Sequence, residues 1–271
     1  PVTMGILFAL FLIQRQGTAR IAVAFGPIMA LWFTVLGVTG LWHIAGNPDV
    51  LAALNPYYGI EFLIEHRTVA FVVLGALSLA VTGAEALYAD LGHFGRKPIM
   101  AAWMILVFPA LMLNYFGQGA LVLTDASAIE NPFFRLVPAP LLPFLVALAT
   151  AATVIAAQAV ITGAFSITRA AVQLGLLPRL TIRHTSHDQS GQIYIAAINW
   201  VQLFLVLWLV VAFGNSGALA SAYGIAVTGA MLADTGLFFI VALLVWKWPT
   251  WRVALFGVPF LLIDLTFFGA N

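Results

Sequence analysis

The chain has 271 residues, 63% of them hydrophobic and 8% charged, with a formal net charge of +1 and a mean hydropathy of +1.05. Soluble domains carry about 25% charged residues to cover a solvated surface, so most of this surface must face hydrocarbon. The near-zero charge leaves no basic field for nucleic acid, and the absence of cysteine removes disulfides, thiolate catalysis and Cys-based zinc sites.

Pro1 opens the chain inside an apolar run with no basic region ahead of it, which is not a signal-peptide pattern. It is the pattern expected of a piece whose true start and end lie elsewhere. A helix crosses a bilayer core with about 20 apolar residues. Eight segments are predicted to span: 2–14, 21–44, 68–89, 99–123, 139–168, 193–213, 218–246 and 253–270, the first of them short. The second and fourth hold no Asp, Glu, Lys or Arg, and the third is interrupted by Glu85. Gly214-Asn215-Ser216-Gly217 divides the long run after 193 into the sixth and seventh spans. Trp42, Trp246, Trp248 and Trp251 sit near segment ends, where amphipathic rings prefer the headgroup level. Between the second and third spans, residues 45–66 (AGNPDVLAALNPYYGIEFLIEH) carry amphipathic stretches between Asn-Pro breaks and predict a short helix at the interface.

Cationic residues divide unevenly between alternating loops. Arg15 and Arg20, Arg96 and Lys97, Arg169, Arg179 and Arg183, and Lys247 and Arg252 fall on one side, against Arg67 and Arg135 on the other. The positive-inside rule makes the richer side cytoplasmic. Asp49, Glu61, Glu65, Asp125 and Glu130 then face outward. In the polar loop 169–191, His184 and His187 have a spacing that could bind metal; the plainer reading is a cytoplasmic connector.

A carboxylate inside hydrocarbon costs roughly 3 kcal/mol or more and persists where it meets protein, water or an ion. Glu85 lies well inside the third span, and Thr82, three residues earlier, shares its helix face. Gly75 and Gly83 permit local unwinding, which frees backbone carbonyls to act as ligands. Hydroxyl, carbonyl and carboxylate oxygens suit a hard monovalent cation, and an intramembrane carboxylate can relay a proton. The competing reading is a structural Glu hydrogen-bonded to a neighbouring helix. Asn114, Tyr115 and Gln118, with Pro109 as an expected kink, lie in the fourth span. Gln158, Thr162, Ser166 and Thr168 lie in the fifth; Tyr223, Thr228 and Asp234 in the seventh; Asp264 in the eighth. The hydroxyls and the small-residue run Gly217–Gly224 read first as interhelical packing, whereas Asp234 and Asp264 each need a partner or water. His-Glu-x-x-His, P-loop and Gly-x-Ser-x-Gly strings are absent, so no enzyme class has a positive signal.

Longer strings carry a resemblance. TGAEALYADLGHFGRKP (82–98), LNYFGQGAL (113–121), NPFF (131–134), TVIAAQAVITGAFSITR (153–169), GQIY (191–194) and AYGIAVTGAM (222–231) occur in the order of the KUP/HAK/KT family of potassium uptake permeases. The chain resembles that family along nearly its whole length. The resemblance implies an all-α polytopic membrane protein with a LeuT-like (APC superfamily) fold: two inverted five-helix repeats and extra helices, twelve spans in all. This chain would run from the fourth span to the eleventh, without a cytosolic C-terminal domain. Its third segment would be the family's sixth span, a broken helix. The resemblance also implies proton-coupled potassium uptake by alternating access. Thr82 and Glu85 would hold the cation or couple the proton, and Tyr223 would line the site. A first-span Asp and a third-span Tyr/Thr/Ser set complete the family site and are not among these residues.

The expected partners are potassium, a proton and membrane lipid, with no nucleic acid and no cofactor beyond the transported ions; a homodimer is left open for the full-length protein. Three other readings stand beside this one. Another LeuT-like transporter, such as an amino-acid permease, would need unwound glycine amides to hold a carboxylate. A channel would use a TVGYG-like filter, which is absent. A structural membrane subunit would transport nothing.

Overall fold

Backbone amides and carbonyls in hydrocarbon must pair within the chain, and a helix pairs nearly all of them internally. The computed structural model describes residues 2–16, 19–80, 82–83, 95–184 and 193–271, with the side chains of 16, 19–22 and 184 left aside. Its helices are α1 (Val2–Ile13), α2 (Ala19–Gly46), α3 (Pro56–Glu65), α4 (Arg67–Ala80), α5 (Arg96–Ala102), α6 (Phe108–Thr124), α7 (Leu142–Gln173), α8 (Ala196–Phe213), α9 (Ser216–Ile240) and α10 (Thr250–Ala270). A π-helical turn, Trp103–Val107, joins α5 to α6 directly before Pro109, so the ring that cannot donate an amide follows a widened turn. The only strands among the described residues are β1 (Arg183–His184) and β2 (Ile193–Tyr194), an antiparallel pair. Among the described residues, six helical stretches are long and apolar enough to cross a membrane, and α1 and α4 are shorter apolar helices. The chain is therefore an all-α polytopic membrane protein.

The short helix expected within 45–66 is α3. Asn55 caps it by accepting from the Tyr57 amide at 3.1 Å, and Pro56 occupies its first turn, where a missing amide costs nothing. The third predicted span begins as α4, which ends at Ala80. Thr82 and Gly83 are not helical, and Val81 and residues 84–94 lie outside the described residues.

Two compact units divide the chain. The first comprises Pro1–Leu54 and Ala84–Val206. Within it α2 and α6 cross at backbone contact: a Cβ on Gly117 would stand 2.7 Å from the Gly40 carbonyl oxygen, and one on Gly40 would stand 2.7 Å from the Asn114 nitrogen. Small residues allow this approach, which membrane helices use in place of a hydrophobic driving force. Ile44, Val50 and Ala120 close the core beside the crossing, against Leu113 and Phe116. His43 Nε2 lies 3.0 Å from the Leu136 carbonyl oxygen, and Asn47 donates to Thr124 Oγ1 at 3.3 Å. On the α7 side, Gln14 and Gln158 exchange reciprocal amide hydrogen bonds while buried, and Asn199 of α8 donates to the Phe11 carbonyl at 3.2 Å.

The loop after α6 folds into a 3-10 turn, Ala126–Glu130, capped by Asp125, whose carboxylate accepts from the Ser127 amide at 2.9 Å. Arg135 Nη1 lies 3.6 Å from the same carboxylate and donates to Ser127 Oγ at 2.6 Å. Hydrogen bonds from Ser127, side chain first and then backbone, hold the Asp125 carboxyl below its ordinary value, and the Arg135 charge adds to them.

The second unit comprises Asn55–Gly83 and Leu207–Asn271. Here α10 packs on α4 and α9. A Cβ on Gly75 would come 2.5 Å from the Ala270 carbonyl oxygen, and one on Gly257 would come 2.5 Å from the Phe239 ring. Phe238, Trp246, Trp248 and Phe256 form a chain of ring contacts 5.3–6.3 Å apart around the end of α9, an aromatic cluster of the kind that settles at headgroup level.

Candidate ion site

The last turn of a helix has carbonyls without intrahelical partners, and its C-terminal end carries negative partial charge. Both properties attract a cation. α4 ends in this way at Ala80, and the chain beyond it stays close: Thr82 Oγ1 donates to the Leu79 carbonyl at 2.9 Å, and Gly83 takes φ +103°, a backbone conformation that favours glycine. A hydroxyl committed as donor to a carbonyl leaves both its lone pairs for an ion. Thr82 is half-buried. The opening of the third span that Gly83 suggested in the sequence is present at Gly83 itself, whereas Gly75 lies inside the regular helix α4, where it receives the end of α10.

Ser78, one turn before Thr82, is buried, donates to the Gly75 carbonyl at 2.7 Å and accepts from Asn271 Nδ2 at 2.9 Å. Asn271 also donates to the Phe267 carbonyl at 2.8 Å, and its Oδ1 lies against Gly224 of α9. A Cβ on Gly224 would also meet Leu79 Cδ2 at 3.4 Å, so this stretch of α9 adjoins the end of α4. Tyr223, one residue earlier, is 43% exposed. The structure thus brings the α4 terminus carrying Thr82 beside the segment of α9 carrying Tyr223. Glu85, the third residue expected at the site, lies outside the described residues.

Sequence reasoning missed Ser78 and Asn271. Ser78 was findable, since it stands four residues before Thr82 on the same helical face. Asn271 was not, because its partner is 193 residues away. Asp264, expected to need a partner, is buried at 4% exposure and accepts from Thr235 Oγ1 at 2.5 Å; Asp234 is exposed. Among the described residues no group of three His, Asp or Glu side chains is placed to hold a metal ion, while His187 and the His184 side chain fall outside them.

A family model described as the K+ potassium transporter integral membrane domain matches residues 1–271. The probable potassium transport system proteins Kup 2 of Bradyrhizobium sp. and of Rhodopseudomonas palustris are 57% and 56% identical to this chain over 271 residues. The probable potassium transport system protein Kup of Cupriavidus pinatubonensis is 55% identical over 271 residues. Each comparison covers 100% of this chain and 43% of the relative, so the chain spans less than half the length of these relatives. No solved structure matches it. With a family model matched from the first residue to the last, the chain belongs to the KUP/HAK/KT family of potassium transporters, membrane transport proteins and not enzymes.

Proposed function

We propose that the whole protein carries potassium into the cell together with protons, by alternating access in a LeuT-like arrangement of inverted repeats. The relatives' names support potassium as the cargo. The observation that carries the site is the end of α4: a helix C-terminus at Ala80, the Thr82 hydroxyl on the Leu79 carbonyl and the left-handed Gly83. Potassium sheds water only where oxygens replace it, and a helix C-terminus with an adjoining hydroxyl supplies uncharged oxygens of the right polarity. Glu85, two residues past Gly83, supplies the charge or carries the coupled proton, and Tyr223 lines the path from α9. Entry of each cation gains about 2.3 kcal/mol per 100 mV of inside-negative potential, and the proton adds to that drive.

Rubidium uptake by the full-length protein tests the reading. Thr82→Val removes the lone pairs and raises the rubidium KM by about tenfold or more, the worth of one contact to a charged group, whereas Thr82→Ser stays near wild type. Glu85→Gln loses the dependence of uptake on external protons. Near-normal, still proton-dependent uptake by Glu85→Gln removes Glu85 from the mechanism, and an unchanged KM in Thr82→Val removes Thr82.

A further inference from the structure

The first unit contains a cavity of about 680 Å³ whose lining includes none of the candidate ion-site residues. Its polar wall is Arg15, Arg183 and Tyr194, and its apolar wall is Phe11, Leu12 and Trp200. The fold fixes the backbone that carries each polar group. Arg15 lies in the 3-10 turn after α1, whose neighbour Gln14 is locked to Gln158. Arg183 is the pairing partner of Tyr194 in the β1–β2 ladder, so the two side chains share a face. Tyr194 is itself anchored edge-on against Phe165 of α7, with ring centroids 5.9 Å apart. Among the described residues no carboxylate pairs with Arg15 or Arg183.

Two guanidiniums around one cavity, with no carboxylate among its described lining residues, call for an anion. The cavity's second wall decides which anion. Phe11 and Leu12 belong to the last turn of an apolar helix and Trp200 to the first turns of α8, so the charged wall meets the apolar one where two membrane helices end. A small hydrated anion gains nothing from such a wall, whereas an amphiphile matches both halves. Basic pockets between transmembrane helices hold anionic headgroups for this reason, and tryptophan favours that depth. We propose that the cavity binds one anionic phospholipid, with its phosphate between Arg15 and Arg183 and its acyl chains along Phe11, Leu12 and Trp200.

Native mass spectrometry of the full-length protein, delipidated and then titrated with phosphatidylglycerol or phosphatidylcholine, tests this. Wild type retains one tightly held phosphatidylglycerol per chain and no phosphatidylcholine. The pair Arg15→Gln and Arg183→Gln weakens that binding about 30-fold, while the matching Lys pair keeps most of it. In parallel, brominated phosphatidylglycerol quenches a share of tryptophan fluorescence that Trp200→Phe removes; this arm decides the question even if the Gln pair fails to fold. Equal phosphatidylglycerol binding by wild type and the Gln pair, equal retention of phosphatidylcholine, or quenching unaffected by Trp200→Phe overturns the proposal. Displacement of the lipid by millimolar inorganic phosphate also overturns it, and assigns the two arginines to a soluble anion instead.

Discussion

Gln14 and Gln158 each give and take one amide hydrogen bond, which leaves neither donor nor acceptor of the pair stranded in an apolar interior. Asn199 follows the same rule on one side only: its Nδ2 donates to Phe11, while its Oδ1, at a residue 1% exposed, meets no donor among the described residues. An unpaired buried acceptor costs about 1–3 kcal/mol. Asp264 solves a harder version through Thr235. Outside the membrane the economy differs, and Asp125 is the measurable case. Its folded value lies below the ordinary 3.8, because Ser127 and Arg135 favour the ionised form. The capped turn is therefore fully stabilised above that ordinary value and loses its cap as pH falls through the lower, folded one. Hydrogen exchange of 125–136, corrected for intrinsic rates, is expected to stay protected from neutral pH down to that range and then to open. Asp125→Ala is expected to be less protected at neutral pH and flat with pH. A wild-type profile that stays flat into strong acid shows that the carboxylate contributes nothing to the turn.

The crossing of α2 and α6 rests on glycines that have no room for a side chain. Gly117→Ala brings a methyl carbon 2.7 Å from the Gly40 oxygen, a backbone atom with no freedom to move aside. Forced overpacking of this kind costs about 1–3 kcal/mol, and the full-length protein in detergent is expected to melt measurably lower. Gly59→Ala in α3 is the control: nothing lies within 4 Å of the new Cβ, and the helix gains up to about 1 kcal/mol in propensity. A Gly117→Ala protein that melts with or above wild type removes the crossing as a determinant of stability. The helices themselves were legible in the sequence because bilayer thickness sets a length that apolar runs either meet or miss. Their mates were not. Gly40 and Gly117 look alike to any composition window, and the pairing of Gln14 with Gln158 closes 144 residues of chain. A π-turn precedes Pro109, where a kink was expected, and both features are recognised sites of helix bending.

At the scale of the whole chain, the family was legible because long strings recur in order, and Gly83 stood out because a glycine interrupts an apolar run. The Ser78–Asn271 contact was hidden by sequence distance, and Glu85 lies beyond the described residues. What remains is direction. Nine of the eleven cationic residues fall in loops that share a side if every span crosses once, and moving several such charges across a membrane is costly enough to fix orientation. Because this chain has no cysteine, single cysteines can report on each loop in a cysteine-free version of the full protein. Ile129, exposed in the turn after α6, and Leu177, exposed after α7, flank the long helix α7. A membrane-impermeant maleimide is expected to label Ile129→Cys in intact cells and Leu177→Cys only after lysis. The opposite pattern inverts the orientation and moves Arg15, Arg96, Arg169 and Lys247 outside. Labelling of both from outside means that α7 does not separate the two loops, and the alternation on which the charge count depends fails with it.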